Sequence, residues 1–139
     1  MEVKNYIKRA MPKTVREHIK DEDTLIGLPY PYTVPCAENH FNELYYWDTY
    51  FTNKALFALG QTEQAENNVK DVLYMIERYG YMPNGNRTYY TKQSQPPYAA
   101  LMVNDVFHAT SDLPFLKSAF VTLKKEYEFW MTKRITENG

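Results

Sequence analysis

Cysteine is almost missing from this chain. Its single cysteine, Cys36, has no partner for an internal disulfide and no second thiol for a metal motif. Histidine is nearly as sparse: His18, His40 and His108 stand far apart, without the spacing of metal ligands. No basic run exists that would grip a phosphate backbone, and the formal net charge is −1. A nucleic-acid partner is therefore not expected. Long apolar runs are absent too: no segment approaches the ~20 apolar residues that span a bilayer. The N-terminal MEVKNYIKRAMPKTVREHIKDED has no stretch long enough for a signal-peptide core. These absences lead to the expectation of a cytoplasmic protein with no membrane partner, no metal and no cofactor. No Ser-His-Asp or Cys-His arrangement can be read from spacing, and Asn84-Gly85-Asn86-Arg87 lacks both the spacing and the lysine of a phosphate-binding loop.

What the chain has in quantity is aromatic rings. Its 139 residues suffice for one domain and a modest core. Hydrophobic residues at 44% and charged residues at 24% are ordinary, but aromatics reach 16%, with thirteen tyrosines. They crowd the stretch PYTVPCAENHFNELYYWDTYF at residues 31–51. Tyrosine joins an apolar ring to a polar tip. It suits a surface for amphipathic ligands, and it equally fills the interface between helices.

The pattern along the chain reads as all-α. Residues 15–20 suggest a short helix, and Pro29, Pro31 and Pro35 then impose an extended path. A first long helix is expected over residues 45–59. Tyr46, Tyr50 and Phe57 lie near one face, with Trp47, Phe51 and Ala58 beside them, so it should be buried on most sides. A second, over residues 63–79, carries the stripe Ala65, Val69, Val72, Leu73, Ile76 and ends at Gly80, a residue that accepts the left-handed conformation. A third opens at Ser94 or Gln95, with the stripe Tyr98, Leu101, Met102, Val106, Ala109. A fourth opens at Ser111 or Asp112, with Pro114 in its first turn and the face Leu116, Ala119, Phe120, Leu123, Tyr127, Trp130. No segment alternates convincingly as a strand.

Short turns near residues 60–62 and 110–112 make antiparallel neighbours. The two long irregular segments, residues 31–45 and 80–95, then fall at the opposite end, where loops most often carry function. The hairpin unit recurs after about 50 residues, as in a helical repeat. In the second long segment, Asn84-Gly85 signals a turn with positive φ.

Two acids in the aromatic stretch invite a catalytic reading. A glycosidase needs two carboxyl groups across the scissile bond. Glu43 and Asp48 are five residues apart, so on one helix they would diverge by about 140°. Glu43 can alternatively be a helix-start acid favoured by the macrodipole. Asp48 stands among Tyr45, Tyr46, Trp47 and Tyr50, where a carboxylate needs hydrogen bonds. Tyrosine hydroxyls could supply them structurally, or a sugar's hydroxyl pair could do so, with Trp47 offering its ring to the pyranose.

Two blocks of residues then carry a family resemblance. Phe41-x-Glu43-x-Tyr45-x-Trp47-Asp48-x-Tyr50 resembles the first signature of the trehalases, inverting glycoside hydrolases with an (α/α)6 barrel. Residues 82–90, MPNGNRTYY, followed by Ser94-Gln95-Pro96-Pro97, are similar to that family's next block in order and spacing. The resemblance covers about residues 31–103. It implies that Phe41, Tyr45, Trp47 and Asp48 line a glucose subsite, with Asp48 gripping hydroxyls rather than doing acid–base chemistry. Asn84 would also touch the sugar, Gln95 would support the site, and His40, Arg87 and Gln93 are further candidates for binding it.

The sequence departs from the family at two places. Residues 35–41, PCAENHF, run two longer than the family's Pro-Gly-Gly-Arg-Phe and put His40 where its arginine stands. Lys92-Gln93 replaces Asn-Arg or Ser-Arg. Neither imidazole nor amide reproduces a forked guanidinium, so the expected partner is trehalose or a related α-glucoside. The resemblance also implies a general acid in a Gly-Trp-Asp segment and a general base near the C-terminus, neither of which this sequence contains. The expectation is thus residues 1–139 as one partial (α/α)6 glycosidase domain. Residues 1–30 would form an extension and residues 31–139 about two helical hairpins of an incomplete barrel. Such a fragment would carry no catalytic residue, would be inactive alone, and would expose apolar helix faces. A non-catalytic sugar-binding remnant and a helical scaffold are the alternatives.

Overall fold

The computed structural model describes residues 2–38 and 40–136. Asn39, inside the lengthened PCAENHF stretch, and residues 137–139 lie outside the described residues. In chain order the elements are α1 (Glu2–Ala10), a 3-10 turn (Met11–Thr14), β1 (Val15–Arg16), β2 (Tyr32–Thr33), α2 (Tyr46–Ala58), α3 (Thr62–Tyr79), a second 3-10 turn (Thr88–Tyr90), α4 (Ala99–Thr110) and α5 (Leu113–Lys133).

Turn chemistry sets the helix pairing. α2 and α3 form one antiparallel hairpin across residues 59–61, and α4 and α5 form the next across residues 111–112. Gly80 ends α3 with φ at 82°, and its N–H donates to the Ile76 carbonyl at 2.7 Å. Asp112 caps α5, its Oδ1 accepting the Phe115 N–H at 2.9 Å. α3 packs against α2, α4 and α5, so its stripe of Val69, Val72, Met75 and Ile76 lies at the centre of the core. Leu28, Tyr32, Leu44, Tyr46, Met82, Met102 and Val106 close around it. The fold is all-α in class, and no helix among the described residues is long and apolar enough to cross a membrane.

The structure departs from the sequence reading in five places. The short N-terminal helix occupies Glu2–Ala10 rather than residues 15–20, and none of its side chains is buried. Val15 and Arg16 instead pair antiparallel with Thr33 and Tyr32. This small ribbon follows from the prolines at 31 and 35, which hold residues 32–34 extended. The Val34 N–H then reaches the Thr14 carbonyl at 2.9 Å.

α4 begins at Ala99, not at residue 94 or 95. Two successive prolines disfavour helical geometry in the residues before each of them. α2 is not buried all round either. Its inner face is Tyr46, Thr49, Asn53 and Leu56, while Trp47 and Phe51 are 44% and 57% exposed. The buried Asn53 is satisfied, donating to the Ala65 carbonyl and accepting from Asn68. On α5, Phe120 and Tyr127 point outward, and Glu126 occupies the buried stripe with Ala119. Gly85 does not have a positive φ. It is glycine for room: a Cβ there would lie 3.0 Å from the Leu44 carbonyl oxygen.

Candidate functional site

The two long irregular segments meet directly. The Tyr46 N–H donates to the Asn84 carbonyl at 3.2 Å, and Tyr45 and Gly85 form an antiparallel bridge. Asn86 is fully buried and staples three stretches of chain. Its Oδ1 accepts the Leu44 N–H and its Nδ2 donates to the Ile26 carbonyl, both at 2.8 Å. Its own N–H and carbonyl pair with Leu44 and Ile26. The loop from Met82 to Gln95 is closed at its base by the Ser94 hydroxyl, which donates to the Met82 carbonyl at 2.7 Å. Inside it the Asn84 N–H donates to the Gln93 carbonyl at 2.8 Å. The wall beside the start of α2 is therefore held by backbone and amide bonds, not by loop propensity.

Of the predicted residues, Phe41, Tyr45, Trp47, Asp48, Asn84 and Gln95 gather around the start of α2. Gln95 lends its Oε1 to the Trp47 N–H at 2.9 Å, satisfying one of the donors that every helix start leaves open. Trp47 keeps its ring half in solvent. Phe41, also 44% exposed, meets Tyr45 edge-on at 5.8 Å, and Tyr45 tilts against Tyr90 at 5.7 Å. A row of rings thus runs from Phe41 through Tyr45 and Tyr90 to Tyr89. The Tyr45 phenol is pushed up, by burial first and then by its hydroxyl contact with Tyr90.

The two acids fare differently. Glu43 is not part of a helix. It is buried and takes the Arg87 Nε at 2.6 Å, the Asn42 N–H at 3.0 Å and the Tyr45 hydroxyl at 3.4 Å. Burial opposes charge on Arg87, but the bond and charge of Glu43 outweigh it, and the guanidinium pKa stands above its ordinary value. Arg87 also donates to the Thr24 hydroxyl. Its fork is thus engaged within the protein.

Asp48, half-buried on the first turn of α2, makes no hydrogen bond or ion pair among the described residues. The tyrosines around it are committed elsewhere: Tyr45 to Glu43 and Tyr90, Tyr46 to Glu126, and Tyr50 to a stack on Tyr98 at 4.5 Å. The Asn84 side chain likewise has no partner among the described residues. His40 is exposed and pairs with Glu38 at 3.4 Å, away from the hydrogen bonds that join the wall. Gln93 is exposed as well. Among the described residues no group of three or more His, Cys, Asp and Glu side chains could hold a metal ion.

Sequence reasoning passed over three supports: Asn86, the Glu43–Arg87 pair and Glu126. Only the last left a legible trace. It falls three residues after Leu123 and seven after Ala119, so an acid sits on the apolar stripe itself.

The chain is also similar to known proteins along most of its length. The family model described as Trehalase matches residues 1–138. A probable trehalase of Oryza sativa subsp. japonica is 41% identical over 113 residues, covering 81% of this chain and 20% of that protein. A periplasmic trehalase of Xanthomonas axonopodis pv. citri (strain 306) is 37% identical over 131 residues, covering 93% and 22%. The structure of neutral trehalase Nth1 from Saccharomyces cerevisiae superposes with a TM-score of 0.66 at 35% identity, over 91% of this chain and 24% of that one. The chain spans about a fifth of the length of the curated relatives it matches. Its antiparallel helical hairpins form part of an (α/α)6 toroid. The family model spans nearly all of its residues, and the chain belongs to the trehalase family.

Proposed function

We propose that this chain supplies one glucose-binding wall of a trehalase-like glycoside hydrolase that acts on trehalose or a related α-glucoside. The observation that carries the reading is the division of labour at the start of α2. Glu43, Tyr45 and Gln95 are spent on holding the wall, whereas Asp48 and the Asn84 side chain have no partner among the described residues, and Trp47, next to Asp48 in the chain, is 44% exposed. A free carboxylate, a free amide and an exposed indole suit a pyranose, whose hydroxyls take directional bonds and whose C–H face takes a ring. Neither group is placed for proton transfer by a second free carboxyl. The general acid and base of an inverting hydrolysis, in which water attacks opposite the protonated leaving oxygen, come from outside these residues.

Titration calorimetry with trehalose tests this. The 139-residue protein should bind the sugar without hydrolysing it, and Trp47→Ala or Asp48→Asn should abolish binding. Measurable hydrolysis by this chain, or no binding by the unmutated chain, overturns the reading. A second reading, a helical scaffold, draws on the exposed row Phe120, Val121, Tyr127 and Met131 of α5. It expects a protein partner on that row and no affinity for sugar.

A further inference from the structure

Glu126 lies on α5, outside the signature blocks, yet its carboxyl group is where the wall-bearing elements are joined. It is only 4% exposed. Both of its oxygens lie 2.8 Å from the Tyr46 hydroxyl, and Oε1 also accepts the Met82 N–H at 3.4 Å. The Tyr46 oxygen in turn accepts the Ala99 N–H at 2.8 Å, so its single proton goes to Glu126. Tyr46 opens α2, directly before Trp47 and Asp48. Met82 opens the loop that carries Asn84, and Ala99 opens α4, just after Gln95-Pro96-Pro97.

One carboxyl group thus ties the start of α2 to the start of the loop, and through the Tyr46 hydroxyl to the start of α4. The burial that raises its pKa is offset in part by the Tyr46 and Met82 bonds. An apolar residue would fill this stripe position more cheaply, since burying a carboxyl is costly and only good partners offset the cost. What apolar packing cannot do is fix three chain segments by direction.

We propose that Glu126 is a positioning residue for the sugar wall. It acts through Tyr46, setting the start of α2 against the loop and α4 so that Trp47, Asp48 and Asn84 face one sugar ring together. The inference rests on the sugar-binding reading above. Substrate sites lose much of their effect when their support is loose by about 1 Å.

The test compares the unmutated chain with Glu126→Gln, with Tyr46→Phe, and with Ile76→Val as a control for general core loosening. Ile76 is fully buried in α3 and has no side-chain bond to the wall. Amide hydrogen exchange and trehalose calorimetry are read on each. In Glu126→Gln and Tyr46→Phe, exchange at the Met82, Ala99 and Trp47 amides should rise about tenfold or more relative to α3 amides, as in a local opening. Trehalose affinity should fall about tenfold. Ile76→Val should shift all protected amides alike and leave the affinity in place. Tyr46→Phe removes only a hydroxyl, so it stays readable if Glu126→Gln does not fold. If the unmutated chain binds trehalose and either the three amides or the affinity are unchanged in the variants, the proposal is overturned. If the unmutated chain does not bind trehalose, the sugar reading itself falls, and the role for Glu126 falls with it.

Discussion

Glu126 and Asp71 are both buried acids on long helices, and their surroundings receive them differently. Glu126 meets the Tyr46 hydroxyl and the Met82 N–H, and it sits in a region where Asn86 and the Glu43–Arg87 pair are satisfied as well. Asp71, on α3, takes the Tyr30 N–H at 3.1 Å on one oxygen, while the other has no partner among the described residues. Burial pushes the Asp71 carboxyl up to about 8. Around the wall polar groups are matched so as to fix geometry, and on α3 a carboxyl is left to respond to pH.

The largest effect should come from removing a partner in the matched region. Glu43→Ala leaves the part-buried Arg87 guanidinium with only Thr24, and should cost about 3 kcal/mol, the low end for a broken buried pair. Urea denaturation measures it, and a loss under about 1 kcal/mol would mean that solvent already shares the pair. Asn86→Ala should follow at about 2–3 kcal/mol, because the Leu44 N–H and the Ile26 carbonyl both lose their partner. Unaltered stability in that variant would place water where the amide now stands.

Asp71 should respond in the opposite sense. Folded, it keeps its proton to about pH 8, whereas the ordinary carboxyl of the unfolded chain releases it near 3.8. The folded state therefore binds the extra proton between those values. The stabilisation is complete below about pH 4 and is lost as pH rises to about 8. Asp71→Asn should flatten that fall and raise stability at pH 8 by about 1–2 kcal/mol, seen as melting temperature against pH. An identical pH slope in the variant would assign the titration to another group. The smallest effect belongs to the outer face of α5. Phe120→Ser should stay within about 0.5 kcal/mol, since Phe120 is 62% exposed. A loss of several times that would show that the ring is covered in solution.

The sequence made the long helices legible, because α3 keeps a continuous stripe and α2 to α5 meet at recognisable turns and caps. It made legible the meeting of the two irregular segments, because two short turns force both long ones to one end. It did not show which face of α5 is buried. Phe120 and Tyr127 look like core residues by hydropathy, but the buried stripe runs through Ala119 and Glu126, whose partner Tyr46 is 80 residues away. Similarly, the bond from the Trp47 N–H to Gln95 and the pairing of Arg87 with Glu43 join residues 48 and 44 positions apart, which no local pattern reports. Hydrophobic periodicity reports burial along one element. It carries no information on polar partners brought in by another.

The Asn86 staple has a consequence in time. The helical hairpins close over turns of two or three residues, so their contacts are local. The staple joins residues 42 and 60 positions apart. Closing such separations costs more chain entropy before any bond rewards it. The helices should therefore be in place first, with the wall forming on them afterwards. Pulsed labelling during refolding would show the Leu44 and Ile26 amides gaining protection after those of α3, and the reverse order would refute it. A chain released early would then be helical yet unable to present Trp47 and Asp48 together, so competence to bind would lag behind the appearance of a fold.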